Sequence, residues 1–306
     1  MGYKLAGFNV LGGVEIDPEM MELYRSNFNP KHSYLMGVQK FKLIPDSELP
    51  KELFELDILD GSPPCSSFSM AGSREKAWGE KKKFREGQAD QVLDELFFDY
   101  IDIAKKLKPK VVVAENVKGL VAGKAKGYVK EIYQAFEAAG YDVQLFLLNA
   151  AFMGVPQRRE RTFFIARRKN LGLTQIKLFF AEKPISVKTA WLGLPPQRGT
   201  PITEFTKKLW DKAKPGDSMA KHNNGNGFNN IKFPYYTPAP TVASGGGNYH
   251  PTEPRNLSNA EYLRLQTFPC DYNFGNLGAR YICGMSVPPF MMQRVSNQIY
   301  EQWLKT

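Results

Sequence analysis

The chain has 306 residues, of which 42% are hydrophobic and 24% charged, an ordinary globular balance with enough length for a real core. Lys and Arg number 41 against 31 Asp and Glu, and the resulting net charge of +10 favours a polyanionic partner. Three cysteines without a CxxC pair and three scattered histidines argue against a disulfide framework or a zinc site and favour a reducing cytoplasm. No apolar run reaches the length of a membrane span, and the N-terminus lacks the pattern of a signal peptide.

The first 169 residues alternate apolar, strand-like runs with stretches of helical periodicity. The pattern predicts strands at 9–16, 56–60, 110–114, 143–149 and 162–166, and helices at 18–27, 93–107 and 129–139. This β-α-β-α order predicts an α/β fold with a mostly parallel sheet and helices on both faces. Ligands of such sheets bind beyond the carboxyl ends of the strands, so functional residues are expected there.

The composition changes over residues 170–254, which are rich in Pro, Gly, Asn and Lys and show little helical periodicity. Ten Lys and Arg against five acids give this stretch a charge of +5. It is either a solvated, variable insertion or a separate domain that faces nucleic acid. Helical patterning returns at 258–267, where Ser258 and Glu261 have the spacing of a capping box, and again at 289–304.

The segment DGSPPCSSFSMAG, residues 60–72, follows a predicted buried strand and therefore places Cys65 at a carboxyl end. A nucleophilic cysteine needs a lowered pKa, some exposure and a fixed position. The alternative is a buried cysteine that acts as a small hydrophobic residue. Two prolines before Cys65 and a polar run after it fit that alternative poorly.

The segment VVVAENVKGL, residues 111–120, places Glu115 at the end of a strongly apolar strand. A carboxyl group beside apolar surface can remain protonated near neutral pH, with Asn116 helping to orient it. The alternatives for Glu115 are an acid at a helix N-terminus and a salt-bridge partner.

The segment NAAFMGVPQRRER, residues 149–161, brings three arginines and Gln157 just before the strand predicted at 162–166. Guanidinium groups suit phosphates and polarised base carbonyls. Alternation along an extended chain puts Arg159 and Arg161 on one face, and Arg158 fits an exposed basic edge.

These segments together resemble the cytosine-5 DNA methyltransferase family. PPCSSFSMAG is similar to its catalytic loop, AENVKGL to its ENV motif and GVPQRRER to its QRRER-like motif. Further similar segments are GGVEIDPEMMELY upstream, and RNLSNAEYLRLQTFP and YICGMSVP downstream. The resemblance covers essentially the whole chain outside 170–254, and several motifs in the same order are unlikely to match by chance.

The resemblance implies a Rossmann-like, S-adenosylmethionine-dependent methyltransferase sheet with a smaller target-recognition domain. It implies that Cys65 adds to C6 of a flipped-out cytosine, that Glu115 bonds N3, and that Arg161 with Arg159 contacts the base carbonyl. A mobile loop over 66–91 would close on the DNA, and Thr241-Val242 is similar to the short Thr-Leu element of family recognition domains. The residues expected to bind DNA are Ser67, Arg74, Lys82, Gln157 and Thr241.

Donor binding is also implied by the resemblance, with Glu15 holding the ribose and Ile16 packing on the adenine. The rest of the pocket would be lined or closed by Pro63, Leu96, Ser286 and Val287. The family begins with a strand and a Phe-x-Gly-x-Gly-type turn, whereas this chain starts about where that turn should end. We expect upstream in-frame codons to encode the missing strand, without which the neighbouring strand edges are unpaired or rearranged. Two smaller departures from the family pattern are found. Gln39 lies where an acid is expected nearby, and Met285 takes the place of the usual Asn.

The predicted organisation is a catalytic domain over 1–180 plus 281–306 and a target-recognition domain with its hinge over 181–280. The expected partner is double-stranded DNA, bound by a monomer and serving a restriction-modification or phage-type role with a restriction endonuclease of the same specificity. One alternative is a truncated remnant that still binds DNA but cannot hold the donor. Another is a tRNA cytosine-5 methyltransferase, which a recognition region without cysteine disfavours.

Overall fold

The computed structural model describes residues 1–64, 81–82, 91–92, 95–121 and 126–305, and only the backbone of residues 81–82, 91–92 and 126. The strands in chain order are β1 (Gly12–Glu15), β2 (His32–Leu35), β3 (Ile58–Gly61), β4 (Lys81–Lys82), β5 (Gln91–Val92), β6 (Val111–Val117), β7 (Tyr141–Asn149), β8 (Gln157–Arg158), β9 (Glu160–Arg168), β10 (Ile231–Lys232), β11 (Ala239–Pro240) and β12 (Asn248–Tyr249). The helices are α1 (Gly2–Leu5), α2 (Pro18–Phe28), α3 (Val38–Phe41), α4 (Leu96–Leu107), α5 (Lys126–Ala138), α6 (Val187–Ala190), α7 (Glu204–Lys212), α8 (Asn259–Gln266), α9 (Ala279–Met285) and α10 (Pro289–Ile299), which a π-helical turn extends to Leu304.

The chain folds as two compact units, which differ from the predicted domains in their boundaries. The sheet unit comprises Val10–Leu148, Glu160–Leu178 and Gln298–Thr306. The loop-rich unit comprises Met1–Asn9, Asn149–Arg159 and Phe179–Asn297. The predicted division into a catalytic domain and a target-recognition domain stays a prediction.

The sheet unit is built on a four-stranded sheet with the order β3-β6-β9-β7. The expectation of a mostly parallel sheet is wrong in part: β3 and β6 run parallel, but β6 and β9 are antiparallel, with Ala114 opposite Phe164. Alternate residues of β6 and β9 pack against α4 and α5 in one buried cluster, because successive strand side chains point to opposite faces. The central strand β6 is buried over its first six residues.

The strands β1 and β2 form a parallel sheet of their own in the same unit. Val14 of β1, Leu59 of β3 and Ile103 of α4 belong to one hydrophobic cluster, so both sheets pack against α4. β1 and β3 are only half-buried over most of their length, unlike β6.

The tyrosine of α4 ties two strands of the larger sheet together. The Tyr100 hydroxyl lies 2.9 Å from Leu59 O and 2.8 Å from Val113 O. Burial raises the pKa of Tyr100 well above its ordinary value, so the hydroxyl remains a donor at any physiological pH. A Cβ on Gly61 would come within 2.5 Å of this ring, so the end of β3 requires glycine.

The loop-rich unit contains regular structure that the sequence pattern missed, since α7 lies inside the stretch predicted to lack helices. The capping box of α8 is confirmed: Ser258 Oγ accepts from Glu261 N, and the Glu261 side chain accepts from Ser258 N. Glu261 is also paired with Arg255 through two hydrogen bonds of 2.8 and 2.9 Å. These contacts place α8 over the core of the unit, which includes Leu265 and Cys283.

Candidate active site

The carboxyl end of β6 carries Glu115, which the structure places in a buried ion pair. Arg161 Nε lies 2.9 Å from Glu115 Oε1, and the two side chains are only 14% and 11% exposed. Burial lowers the pKa of the Arg161 guanidinium, and the neighbouring Glu115 carboxylate opposes that shift. Glu115 does not end its strand as predicted, because β6 continues to Val117 opposite Arg161. The salt-bridge alternative for Glu115 is therefore the observed arrangement.

The side chain of Asn116 connects this pair to the end of the neighbouring strand. Its Nδ2 donates to Pro63 O at 3.0 Å, and its Oδ1 accepts from Val117 N at 2.8 Å. The prediction that Asn116 orients the Glu115 carboxyl is thus wrong, because the Asn116 side chain bonds Pro63 O and Val117 N. Asn116 instead holds the backbone two residues before Cys65, so this segment leaves the sheet beside Glu115.

Several predicted site residues lie outside the described residues: Cys65, Ser67, Arg74 and the side chain of Lys82. The other two cysteines are free. Burial raises the pKa of the Cys283 thiol to about 12, which disqualifies it as a nucleophile near neutral pH because it stays protonated. Cys270 is exposed.

The residues expected to bind the methyl donor fall in both units. In the sheet unit, Glu15 ends β1 and accepts a hydrogen bond from Asp17 N at 2.8 Å, while Pro63 and Leu96 are buried. Ile16 lies near Gly37, where an added Cβ would be 3.4 Å from Ile16 Cδ1.

The remaining two donor residues, Ser286 and Val287, belong to the loop-rich unit and are half-buried. Gln266 Nε2 donates to Ser286 O at 2.9 Å and lies 3.2 Å from Ser286 Oγ. Met285, the departure noted at this motif, is 49% exposed.

Gln157 and Arg159 occupy places that the sequence did not predict. Gln157 is 0% exposed and its amide is bonded to Gln266, Leu265 O and Val242 N, so it is not available as a DNA contact in this structure. Arg159 is 1% exposed and donates to the carbonyls of Val242 and Gly284. The chain leaves β8 before β9 begins at Glu160, and Arg159 and Arg161 have different partners. A face shared by these two arginines stays a prediction.

Thr241 and Arg158 differ in their exposure to solvent. Thr241 is half-buried, and its hydroxyl donates to Arg158 O at 2.9 Å. Arg158 is exposed, as the edge interpretation expects. A DNA contact by Thr241 stays a prediction.

A model of the C-5 cytosine-specific DNA methylase family matches residues 1–301. The chain belongs to this family. The type II methyltransferase M.FnuDI of Fusobacterium nucleatum is 36% identical over 188 residues, which are 61% of this chain and 48% of that protein. The chain therefore spans about half the length of this relative. The type II methyltransferase M1.HphI of Haemophilus parahaemolyticus is 28% identical over 322 residues, covering 98% of this chain and 82% of that protein.

Solved structures share the fold of this methylase chain. A protein encoded within an E. coli prophage and assigned as a DNA modification methyltransferase superposes with a TM-score of 0.71 at 23% identity, covering 98% of this chain and 94% of its own. Fold neighbours of this kind confirm the predicted methyltransferase fold class. In the described part of this methylase, no helix has the length and apolar character needed to cross a bilayer.

Two residues that bond the predicted site residues escaped the sequence interpretation. Gln266 bonds both Gln157 and Ser286, while Val242 N donates to Gln157 Oε1 and Val242 O accepts from Arg159 Nη1. Their partners are far away in sequence, and the short β8–β11 pairing that brings the chains together shows no periodic pattern. The capping box before Gln266 was the one local signal in this region.

Proposed function

We propose that this chain is a DNA (cytosine-5-)-methyltransferase that forms a covalent adduct between Cys65 and C6 of a cytosine extruded from the duplex. The observation that carries the proposal is the buried Glu115–Arg161 pair at the end of β6, beside a backbone that Asn116 holds two residues before Cys65. Membership of the C-5 cytosine-specific DNA methylase family supports the same chemistry.

The roles of these residues follow from the electronic demands of the reaction. C6 of cytosine is a poor electrophile, so addition of the Cys65 thiolate needs a group that takes up charge at N3. Glu115, once it has taken up a proton from solvent, donates that proton to N3, and the electron pair of the former C5–C6 double bond becomes available at C5. After C5 has been methylated and has lost its proton to solvent, the Cys65 sulfur leaves as a thiolate, N3 returns its proton to Glu115 and the double bond re-forms.

Arg161 is well placed to orient the reacting base as well as the carboxyl group. Its Nε is bonded to Glu115, and its Nη1 donates to Glu160 O at 2.8 Å, so the plane of the guanidinium is fixed. We assign Nη2, a further donor of the guanidinium group, to the base carbonyl oxygen. None of these contacts is possible inside a stacked duplex, which is why the base must be flipped.

S-adenosylmethionine fits the residues of the sheet unit as methyl donor, and when bound it supplies the electrophilic methyl group. The Glu15 carboxylate lies at the carboxyl end of a parallel strand, where ribose hydroxyls would donate to it. Its hydrogen bond from Asp17 N fixes the carboxylate in place. Ile16 would pack on the adenine ring, and Pro63 and Leu96 would line the same pocket.

Double-stranded DNA is the proposed substrate, in keeping with the net charge of +10 and the family. The curated relatives are named type II methyltransferases, which supports a restriction-modification role with an endonuclease of the same specificity. Lys and Arg contacts to phosphates would provide affinity, whereas base contacts would select the sequence.

The decisive experiment is adduct trapping on a duplex that carries 5-fluorocytosine at the methylated position, in the presence of S-adenosylmethionine. The target sequence is first read by bisulfite or nanopore sequencing of DNA from cells that express the chain. We expect a denaturation-resistant complex with the natural protein and none with Cys65→Ser. A chain that binds DNA, binds no donor by calorimetry and forms no complex would instead be a DNA-binding remnant.

A further inference from the structure

Three consecutive residues, Gln157, Arg158 and Arg159, hold one short loop of the loop-rich unit. β8 and β11 pair in parallel, with Ala239 opposite Gln157, and the chain then continues into Thr241 and Val242. Gln157 Oε1 accepts from Val242 N at 2.9 Å, and Arg159 Nη1 donates to Val242 O at 3.1 Å. The Thr241 hydroxyl donates to Arg158 O at 2.9 Å. Both backbone polar groups of Val242 are therefore bonded to side chains of this segment.

The far ends of the same two side chains are anchored to the helices that follow. Gln157 Nε2 donates to Gln266 Oε1 at 2.7 Å, and Arg159 Nη2 donates to Gly284 O at 2.8 Å. A Cβ on Gly284 would be 2.2 Å from Ser244 N, so the loop also passes directly against Gly284. The loop is thus fixed at residue 242 and again at residue 244.

We propose that Gln157 and Arg159 are positioning residues, which hold Thr241–Val242 in one register against the DNA and affect methylation only through that loop. This inference rests on the proposed function. Arg159 is 1% exposed, and burial of a guanidinium is costly unless hydrogen bonds compensate for it. Here Nη1 and Nη2 donate to the carbonyls of Val242 and Gly284. A shift of the loop by one residue would break all three bonds that Thr241 and Val242 make with the segment.

A register fixed in this way matters for sequence specificity. Base pairs are distinguished by donors and acceptors only a few ångströms apart, so a reading side chain must be held to within about half an ångström. Thr241, adjacent to the fixed Val242, is half-buried and so presents part of its surface to solvent. Arg159 therefore contributes by positioning the loop and not through its charge.

The test compares Arg159→Lys with Arg158→Lys, the same substitution at the adjacent, exposed arginine. Lysine keeps the charge of Arg159 but cannot bond both carbonyls in the same geometry. We expect Arg159→Lys to lose about tenfold in affinity for the cognate duplex, the equivalent of one or two hydrogen bonds. Affinity for a scrambled duplex, its salt dependence and the single-turnover rate at saturating DNA should match those of Arg158→Lys.

The opposite pattern would overturn the inference. An Arg159 that contacts the reacting base predicts a rate at saturating DNA about a hundredfold lower with cognate affinity unchanged. Equal cognate affinity of the two variants would also refute it, since the Arg159 bonds would then not matter. A natural chain that prefers no sequence and forms no adduct would refute the proposed function itself, and this inference with it.

A second comparison does not depend on the folding of a core variant. Thr241→Ser keeps the hydroxyl that bonds Arg158 O, whereas Thr241→Val removes it at nearly constant volume. We expect the serine variant to keep cognate affinity and the valine variant to lose several-fold. In the double variant with Arg159→Lys, the losses should not add, because both act on one loop. Full additivity, or a valine variant with natural affinity, would contradict a shared register.

Discussion

Two buried arginines separated by one residue have entirely different surroundings. Arg161 belongs to the sheet unit and pairs with the carboxylate of Glu115. Arg159 belongs to the loop-rich unit and donates to backbone carbonyls of Val242 and Gly284. A pair with a carboxylate can respond to charge that develops on a bound base, whereas bonds to carbonyls can only hold a backbone in place. Under the proposals made above, one short motif would serve the chemistry at one end and loop placement at the other.

The largest expected effect is that of Cys65→Ser, which should abolish methylation altogether. The serine hydroxyl is not ionised near neutral pH and cannot add to C6, while phosphate contacts leave DNA affinity nearly intact. Methylation is read by bisulfite sequencing and affinity by fluorescence anisotropy. Cys270→Ser, at the exposed cysteine, is the matched control and should methylate normally. Residual methylation by the Cys65 variant would remove the covalent mechanism.

Glu115→Gln tests the proposed chemical role of the Glu115–Arg161 pair. The amide keeps the shape of the side chain but cannot supply a proton at N3, so we expect a loss of about 10²–10⁴-fold in single-turnover rate. Cognate DNA affinity should change little, which is the reverse of the pattern expected for Arg159→Lys. The control is Glu160→Gln, an exposed acid paired with Lys118 at 2.8 Å, which should stay within about twofold. Equal rates for the two variants would contradict the assignment of Glu115.

Tyr100→Phe separates support of the sheet from the reaction. The variant removes the hydroxyl that lies between Leu59 O and Val113 O and should lower the free energy of unfolding by about 1–2 kcal/mol. Urea unfolding measures this loss, and Tyr133→Phe on α5 is the control with an expected smaller effect. The methylation rate of the folded variant should be natural. A large rate loss would mean that the β3–β6 spacing directly governs the Cys65 segment.

The smallest expected effect is a pH dependence of the loop-rich unit. Burial, with Arg255 nearby, lowers the pKa of His250 from its ordinary value of 6.5, although Glu253 and Glu261 oppose the shift. The folded histidine stays neutral while the unfolded one gains a proton, so stability falls as the pH drops below 6.5. The loss between pH 7.5 and 5.5 should be at most about 1.4 kcal/mol.

His250→Asn tests this pH effect, and the same substitution at the exposed His222 is the control. The asparagine oxygen can still accept from Glu253 N, which now bonds His250 Nδ1 at 3.1 Å, so the loop is preserved without a titrating group. We expect a flatter pH profile only for the variant at His250. An unchanged slope would assign the dependence to carboxylates instead.

Local patterns predicted most strands and helices of the sheet unit, with boundaries within a few residues, but they missed β2 and α3. Three elements were predicted well because each depends on neighbours a few residues apart. They are the helix starting at Pro18, the strand beginning at Val111 and the capping box at Ser258. The helix α7 was missed because a short amphipathic segment between loops has too few turns to show a period.

The sequence by itself determined the family resemblance, the α/β order and the candidacy of Cys65, Glu115 and Arg161, because motif residues are contiguous. Only the tertiary structure decided that Asn116 bonds Pro63, and that Gln157 and Arg159 bond the backbone of Val242. These contacts join residues more than 50 positions apart, and the choice between a base, a phosphate and a carbonyl depends on what the fold brings within hydrogen-bond distance.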